Sequence, residues 1–320
     1  MTGTGGAVLK RYHIFGPVSS RRLGRSLGID LVPFKTCTHN CVYCECGATT
    51  YRTTRREIFF PVQEIYAELT DFLSSSPSLD YITFSGSGEP TLSLSIGEVI
   101  RFLKDKYPSY RIAVLTNGSL LSDPDVRRDL LPADVVLPTL STVVKQTFVK
   151  IHRPDPGISL ERMLTGLVQF RQEYSGEIWL EVFIIPGLNT SDEELAGLRR
   201  IIKDIKPDCV QLNTLDRPGT EEWVLPANRT ELERVQRMLD FATTEIVESY
   251  MYRARKSSFA EDPVEQIYEM LKRRPCTSGD LASATGLHTM EVKKILREMA
   301  ATHDLLVKRE GRGLFYYFRE

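Results

Sequence analysis

Cys37, Cys41 and Cys44 stand in a C-x3-C-x2-C run, TCTHNCVYC, directly after the short apolar segment Leu27 to Phe34. Three thiolates this close can hold three irons of a 4Fe-4S cube and leave the fourth iron open to a ligand that is not protein. An open iron that delivers an electron to a bound molecule is a reaction centre. The loop also allows a second reading, because Cys46 supplies a fourth sulfur and the four together could hold zinc. Structural zinc, however, usually takes two separated pairs rather than four crowded sulfurs. A disulfide framework fits worse, since six cysteines in 320 residues are sparse and four of them share this loop. The expected setting is reducing and intracellular.

Such a loop must be positioned by regular elements. Short β-rich runs are expected at Leu27 to Val32, Tyr81 to Ser85, Arg111 to Thr116, Asp134 to Leu137, Glu177 to Ile185 and Cys209 to Asn213. Amphipathic helices are expected between and after them, at 61–75, 94–107, 123–131, 160–174, 191–205 and 229–249. Six βα units in a row imply an α/β fold whose parallel sheet curls, through right-handed crossovers, into a partial (β/α)6 TIM-like barrel. Ligands in such sheets sit at the carboxyl ends of the strands, where the cysteine loop falls.

The second strand runs into FSGSGEPTL, Phe84 to Leu92. Its glycines let backbone turn tightly and approach a ligand, and Glu89 offers a carboxylate to an ammonium group. Taken with Tyr43 just before the last cysteine of the run, these features resemble the radical S-adenosylmethionine (radical SAM) superfamily over roughly residues 20–225. FSGSGEP stands for the family's GGEP-type motif, with Ser87 between Gly86 and Gly88. The stretch GPVSSRRLGRSLGIDLVPFKTCTHNCVYCECG resembles more narrowly the iron-sulfur oxidoreductases grouped near wyosine-type tRNA synthases.

The resemblance implies a 4Fe-4S cluster on Cys37, Cys41 and Cys44. It also implies S-adenosylmethionine held by Tyr43, Ser85, Gly86, Gly88 and Glu89, with Glu89 on the methionine amino group; at the same strand edge Asn117 offers a hydrogen bond to the cofactor or simply forms an Asn-Gly turn, and Arg153, in Lys150 to Pro154, offers a clamp for the methionine carboxylate or a surface salt bridge. It further implies a low-potential electron donor of flavodoxin or ferredoxin type. The implied reaction passes one electron to the sulfonium, breaks the C5′–S bond and lets a 5′-deoxyadenosyl radical abstract a substrate hydrogen. Other strand ends offer weaker candidates: Ser141, Asn189 or Thr190, and Gln211, Asn213, Asp216 and Arg217 for substrate. Cys209 reads as a small buried hydrophobe and Cys276 as a turn residue beside Pro275.

After the polar run Arg253 to Ser258 the pattern changes, dividing the chain into residues 1–255 and 256–320. Pro263 to Arg273, Ser278 to Thr285 and His288 to Ala301 read as helices with a turn at Gly286. Leu305 to Arg309 and Leu314 to Phe318 read as a two-stranded wing. That order resembles a winged helix-turn-helix domain. Its charge is balanced, ten basic against ten acidic residues in 261–320, with Lys293, Lys294, Arg297, Lys308, Arg309 and Arg312 gathered on the third helix and wing.

Residues 1–56 are basic, with Lys10, Arg11, Arg21, Arg22, Arg25, Lys35, Arg52, Arg55 and Arg56 against Asp30 and Glu45, and a positive rim would favour an anionic substrate. The net charge of −1 gives no sign of a polyanionic partner for the whole molecule. No run of about 18 apolar residues and no signal-like start is seen, so a cytoplasmic protein without a membrane partner is expected. The expected function is a radical enzyme acting on RNA, a peptide or protein, or an anionic metabolite. A glycyl-radical activase and a redox-sensing, metal-bound DNA-binding regulator are the alternatives; the regulator needs neither Glu89 nor a barrel.

Overall fold

The computed structural model describes residues 13–247 and 263–318. Lys10, Arg11, the end of the helix expected at 229–249, the polar run 253–258 and the proposed boundary at 255 lie outside the described residues. Strands β1 (Ile14–Ser20), β2 (Gly24–Ile29), β3 (Thr36–Cys37) and β4 (Tyr51–Arg52) come first, followed by α1 (Val62–Leu73). Then come β5 (Tyr81–Phe84), α2 (Ile96–Lys106), β6 (Arg111–Thr116), α3 (Pro124–Leu130), β7 (Val135–Pro138), α4 (Lys145–His152) and α5 (Leu160–Glu173). The series closes with β8 (Glu177–Phe183), α6 (Asp192–Ile205), β9 (Cys209–Asn213), α7 (Arg229–Leu239) and β10 (Thr244–Ile246).

Short apolar runs such as YITF and VVLP are buried along their whole length, as strands covered on both faces must be. They form one eight-stranded sheet of order β1-β2-β5-β6-β7-β8-β9-β10, parallel throughout except for β1, which runs antiparallel to β2. Helices whose apolar faces carry Ile65 and Leu69, Val99 and Leu103, Leu167 and Phe170, and Leu198 and Ile202 pack on it and complete the main core.

Three features depart from expectation. Edge strand β1 was not foreseen, because its Gly-Pro interruption disguises the alternation. Helix α4 is short and begins without a side-chain cap. The long helix expected at 229–249 stops at Leu239, where Asp240 turns left-handed at φ 46°, and Thr244–Ile246 then pairs with β9 as a further parallel strand. All of the described helices are too short or too polar to cross a membrane.

Beyond residue 262 come α8 (Pro263–Arg273), β11 (Cys276–Thr277), α9 (Ser278–Thr285), α10 (Thr289–Thr302), β12 (Leu305–Glu310) and β13 (Gly313–Phe318), with sheet order β11-β13-β12. Ile267, Leu271, Cys276, Leu281, Val292, Leu296 and Phe315 form a core of their own. Cys276 is therefore a buried strand residue and not part of a turn. The unit nevertheless docks on the large sheet. Gln266 donates to the Pro17 carbonyl, Arg273 pairs with Asp30 and lies over the Phe15 ring, Lys308 pairs with Glu222, and Arg312 pairs with Asp216.

Candidate metal centre

Because β2, β5, β6, β7, β8 and β9 are parallel, the segments that follow them gather at one edge. The cysteine loop leaves β2 and is shaped by its own backbone. β3 pairs with β4 and clasps the loop at its base, Cys44 N donates to the Cys41 carbonyl, and Gly47 N donates to the Cys44 carbonyl. Asn40 N and Val42 N donate to the carbonyls of His152 and Ile151, which ties the loop to the end of α4.

Each of the three sulfurs meets a nitrogen. His39 N and Asn117 Nδ2 lie 3.5 Å from Cys37 Sγ, His152 Nδ1 lies 3.4 Å from Cys41 Sγ, and Lys35 Nζ donates to Cys44 Sγ at 3.2 Å. Burial and the Glu89 charge push the Cys37 thiol up to about 12, and burial with its two neighbouring thiols raises Cys41 well above the ordinary range. Cys44 is brought down to about 5 by a hydrogen bond from Cys46 and, against burial, by the Lys35 ammonium. Cys46 is raised in consequence.

Donors directed at thiolates are what a bound metal needs from its surroundings, so the residues present fit a 4Fe-4S cluster. His39, Cys41 and His152 also bring their ligand atoms within 4.8 Å of one another. That set of two ring nitrogens and a sulfur is one ligand short of a closed tetrahedral zinc site. Burial lowers both imidazoles, His152 to about 4, so they stand neutral behind the cysteines.

The turn after β5 is built around close approaches. Gly86 has φ +120°, and a β-carbon there would run into Asp30 Oδ1; one at Gly88 would meet the Thr36 carbonyl. Ser85 N donates to the Ile29 carbonyl, Ser87 N to Asp30 Oδ1, and Lys35 N to the Ser87 carbonyl. The turn and the cysteine loop therefore hold each other.

Glu89 is placed differently from the expectation of a carboxylate awaiting an ammonium. It is 2% exposed, and its oxygens accept from Thr91 N, Thr91 Oγ1, Thr116 Oγ1 and Asn117 N at 2.6–3.1 Å. Burial raises its pKa although those donors pull the other way. Glu89 thus braces the turn against the end of β6. Glu89→Gln would set an amide N–H against the Asn117 N–H, and we expect it to cost about 1–3 kcal/mol of stability, read from the denaturant midpoint. An unchanged midpoint would show that the brace is dispensable.

Asn117 reaches the cysteine loop, donating to Thr38 Oγ1 at 2.8 Å. Tyr43 stacks on Phe183 with ring centroids 3.9 Å apart. Arg153 meets the cysteine loop through its backbone, its carbonyl accepting from Asn40 N at 3.3 Å. It is left-handed at φ 43°, and its guanidinium is engaged by Glu221 at 2.5 Å. Asn189 is fully buried and spans the carbonyls of Ser141 and Phe183, which makes it a strut for the end of β8.

Sequence reasoning missed Glu181, on β8. It accepts from Arg22 Nη1, Thr139 Oγ1 and Asn213 Nδ2 at 2.6–2.9 Å. Burial opposes its ionisation, but Arg22, Thr139 and Asn213 outweigh it and hold the carboxyl below its ordinary value. Nearby on β9, the Gln211 Oε1 atom is buried with no hydrogen-bond partner among the described residues. The expected positive rim is largely neutralised: Arg21 pairs with Asp216, Arg22 with Glu181, Arg55 with Glu57 and Arg56 with Asp129, while Lys35 is buried against the cysteines. An acid at Glu181 was legible only as a polar break in an otherwise apolar strand.

Comparison with known proteins agrees with this geometry. The family model of the Radical SAM superfamily matches residues 31–198. A UPF0026 protein of Synechocystis sp. is 40% identical over 207 residues, 64% of this chain and 76% of that protein. A protein of Brachyspira hyodysenteriae named GTPase Obg is 37% identical over 292 residues; the match takes in 91% of this chain, which spans only 43% of that protein's length. The present chain has no G-x4-G-K-[ST] run, so the activity in that name stays with the other protein. Among solved structures, a radical SAM methyltransferase from Sphaerobacter thermophilus superposes with a TM-score of 0.53 at 16% identity, over 69% of this chain and 65% of that one, and so shares its fold.

Proposed function

For a chain that belongs to the radical SAM superfamily and to the UPF0026 proteins, we propose a hydrogen-abstracting enzyme whose substrate is macromolecular, met first by the unit beyond residue 262. Radical SAM enzymes use a 4Fe-4S cluster and S-adenosylmethionine, which when bound supply a one-electron reductive cleavage and the radical that attacks substrate.

The observation that carries the reading is the set of three partnered thiols in a loop whose backbone is hydrogen-bonded to the Gly86–Glu89 turn, Lys35 N donating to the Ser87 carbonyl and Glu89 N to the Thr36 carbonyl. Cys37, Cys41 and Cys44 would hold the cluster. Backbone at Ser85, Gly86 and Gly88, together with Asn117 and Tyr43, would cradle the cofactor, while Glu89 keeps that backbone in place. Arg153, already bound to Glu221, would have to exchange partners to reach a carboxylate. Glu181, Gln211, Asn213 and Arg22 supply fixed donors and acceptors for a polar substrate group. A low-potential flavodoxin or ferredoxin remains the expected electron donor.

The unit of α8–α10 and β11–β13 is read as a winged helix because its third helix precedes a two-stranded hairpin. Lys293, Lys294 and Arg297 are exposed on α10, and Val307 on β12 is 53% exposed. These groups suit RNA or an acidic peptide better than a small metabolite. No observation specifically favours a glycyl-radical activase.

Changing Lys293, Lys294 and Arg297 together to Glu should leave S-adenosylmethionine cleavage without substrate intact and abolish modification of the macromolecule. The measurement is mass-spectrometric comparison of nucleosides and peptides from cells carrying either form. Full modification by the reversed variant would remove α10 from substrate recognition.

A further inference from the structure

Lys35 occupies an unusual position for a lysine. It is 1% exposed, and its backbone is left-handed at φ 57°, a conformation a non-glycine residue keeps only where its surroundings enforce it. They do enforce it. Lys35 N donates to the Ser87 carbonyl, and the Lys35 carbonyl accepts from Thr50 N and Tyr51 N. The side chain is thereby directed under the cysteine loop.

A buried ammonium demands an anionic or strongly accepting partner. Among the described residues the Lys35 ammonium forms no ion pair with a carboxylate, and its one hydrogen bond goes to Cys44 Sγ at 3.2 Å. The other two sulfurs meet neutral partners only, the His39 amide and Asn117 at Cys37 and the His152 ring at Cys41. One full positive charge is therefore fixed on one corner of the three-thiol set and shielded from water.

We infer that Lys35 is a positioning residue that sets the redox poise of the metal centre, its charge making the cluster on Cys37, Cys41 and Cys44 easier to reduce. Hydrogen bonds to sulfur, net charge and solvent exposure are the levers by which a protein tunes an iron-sulfur potential, and Lys35 applies the first two from a site that excludes the third. Reduction adds one negative charge to the centre, so a fixed cation stabilises the reduced form more than the oxidised one. The inference rests on the cysteines being cluster ligands, as proposed above.

The test is a potentiometric titration of the anaerobically reconstituted full chain without S-adenosylmethionine, followed by electron paramagnetic resonance. Wild type, Lys35→Met, Lys35→Gln and Lys35→Arg are compared. Lys35→Met and Lys35→Gln should shift the reduction equilibrium against the reduced form by about tenfold, about 59 mV lower for one electron, while Lys35→Arg stays near wild type. Loss of iron from Lys35→Met and Lys35→Gln but not from Lys35→Arg would overturn the inference, because the charge would then hold the cluster rather than set its potential. Midpoints equal to wild type at full iron content, or loss of iron from all three variants alike, would overturn the inference and leave the cluster reading standing. A wild type with no reducible 4Fe-4S signal would instead overturn both.

Discussion

Anaerobically reconstituted protein should carry one 4Fe-4S cluster and convert S-adenosylmethionine to 5′-deoxyadenosine under a strong reductant, and Cys37→Ala, Cys41→Ala or Cys44→Ala should each reduce both readouts to background. The size of the effect follows from the loop's construction. With only three protein sulfurs for the cube, loss of one leaves an iron without its ligand, and no other described cysteine lies in the C-x3-C-x2-C run. Cys37 and Cys41 are held as thiols by burial and nearby negative charge, so cluster assembly must displace their protons and should speed up as pH rises. Cys46 offers the contrast. It hydrogen-bonds Cys44 as the higher-pKa partner, and Cys46→Ala should keep its iron. Iron content and 5′-deoxyadenosine yield, measured on the four variants side by side, decide the matter. Zinc without iron after anaerobic purification, or loss of iron in Cys46→Ala equal to that in Cys41→Ala, would contradict the assignment.

The second large effect is expected at Arg217. Its guanidinium is 4% exposed and faces Glu45, between Cys44 and Cys46, at 3.6 Å, and Asp280 of α9 at 3.5 Å. Asp280 also pairs with Arg312 and closes the capping box of α9 with Thr277. The change of pattern in the sequence marks residues 256–320 as a unit of their own. These contacts argue that this unit and the cysteine loop are fastened together through buried charge. Removing one partner of a buried pair typically costs about 3–5 kcal/mol, because the remaining charge is left without compensation. Arg217→Met should therefore lower stability by that order and loosen the cysteine loop through Glu45, seen as faster loss of cluster iron to a chelator. In Asp280→Asn the loss should be partly shared, and the double variant should fall short of the sum of the singles. Strict additivity in the denaturant midpoints would mean that the two charges do not communicate.

The chemistry was legible in the sequence because it depends on residues close in number. The cysteine spacing, the Gly86–Glu89 turn and the six parallel strands are local patterns, and all reappear in the fold. What escaped was long-range. Lys35 reads as one more basic residue near the N-terminus until its left-handed backbone turns it under Cys44. Glu89 reads as a free acid until Thr116 and Asn117, at the end of a different strand, are seen to occupy it. The positive rim dissolved for the same reason, its arginines finding acids such as Asp129, Glu181 and Asp216 far along the chain. Arg153 was placed from a neighbouring-residue pattern that says nothing of Glu221. Helix α7 was overextended because nothing in its periodicity signals the left-handed turn at Asp240.

Gln266 bonds to Pro17, and Arg273 lies over Phe15 and pairs with Asp30, so residues far apart in number are neighbours in space. A ribosome makes the cysteine loop early and α9 late. At about 5–20 residues per second, the interval between Arg217 and Asp280 is on the order of several seconds. During that time the arginine beside the loop has no Asp280 to meet, and edge strand β1 has none of its later cover. The fastening of Arg217 to Asp280 is thus a timed event, open to the chain only once α9 has been made.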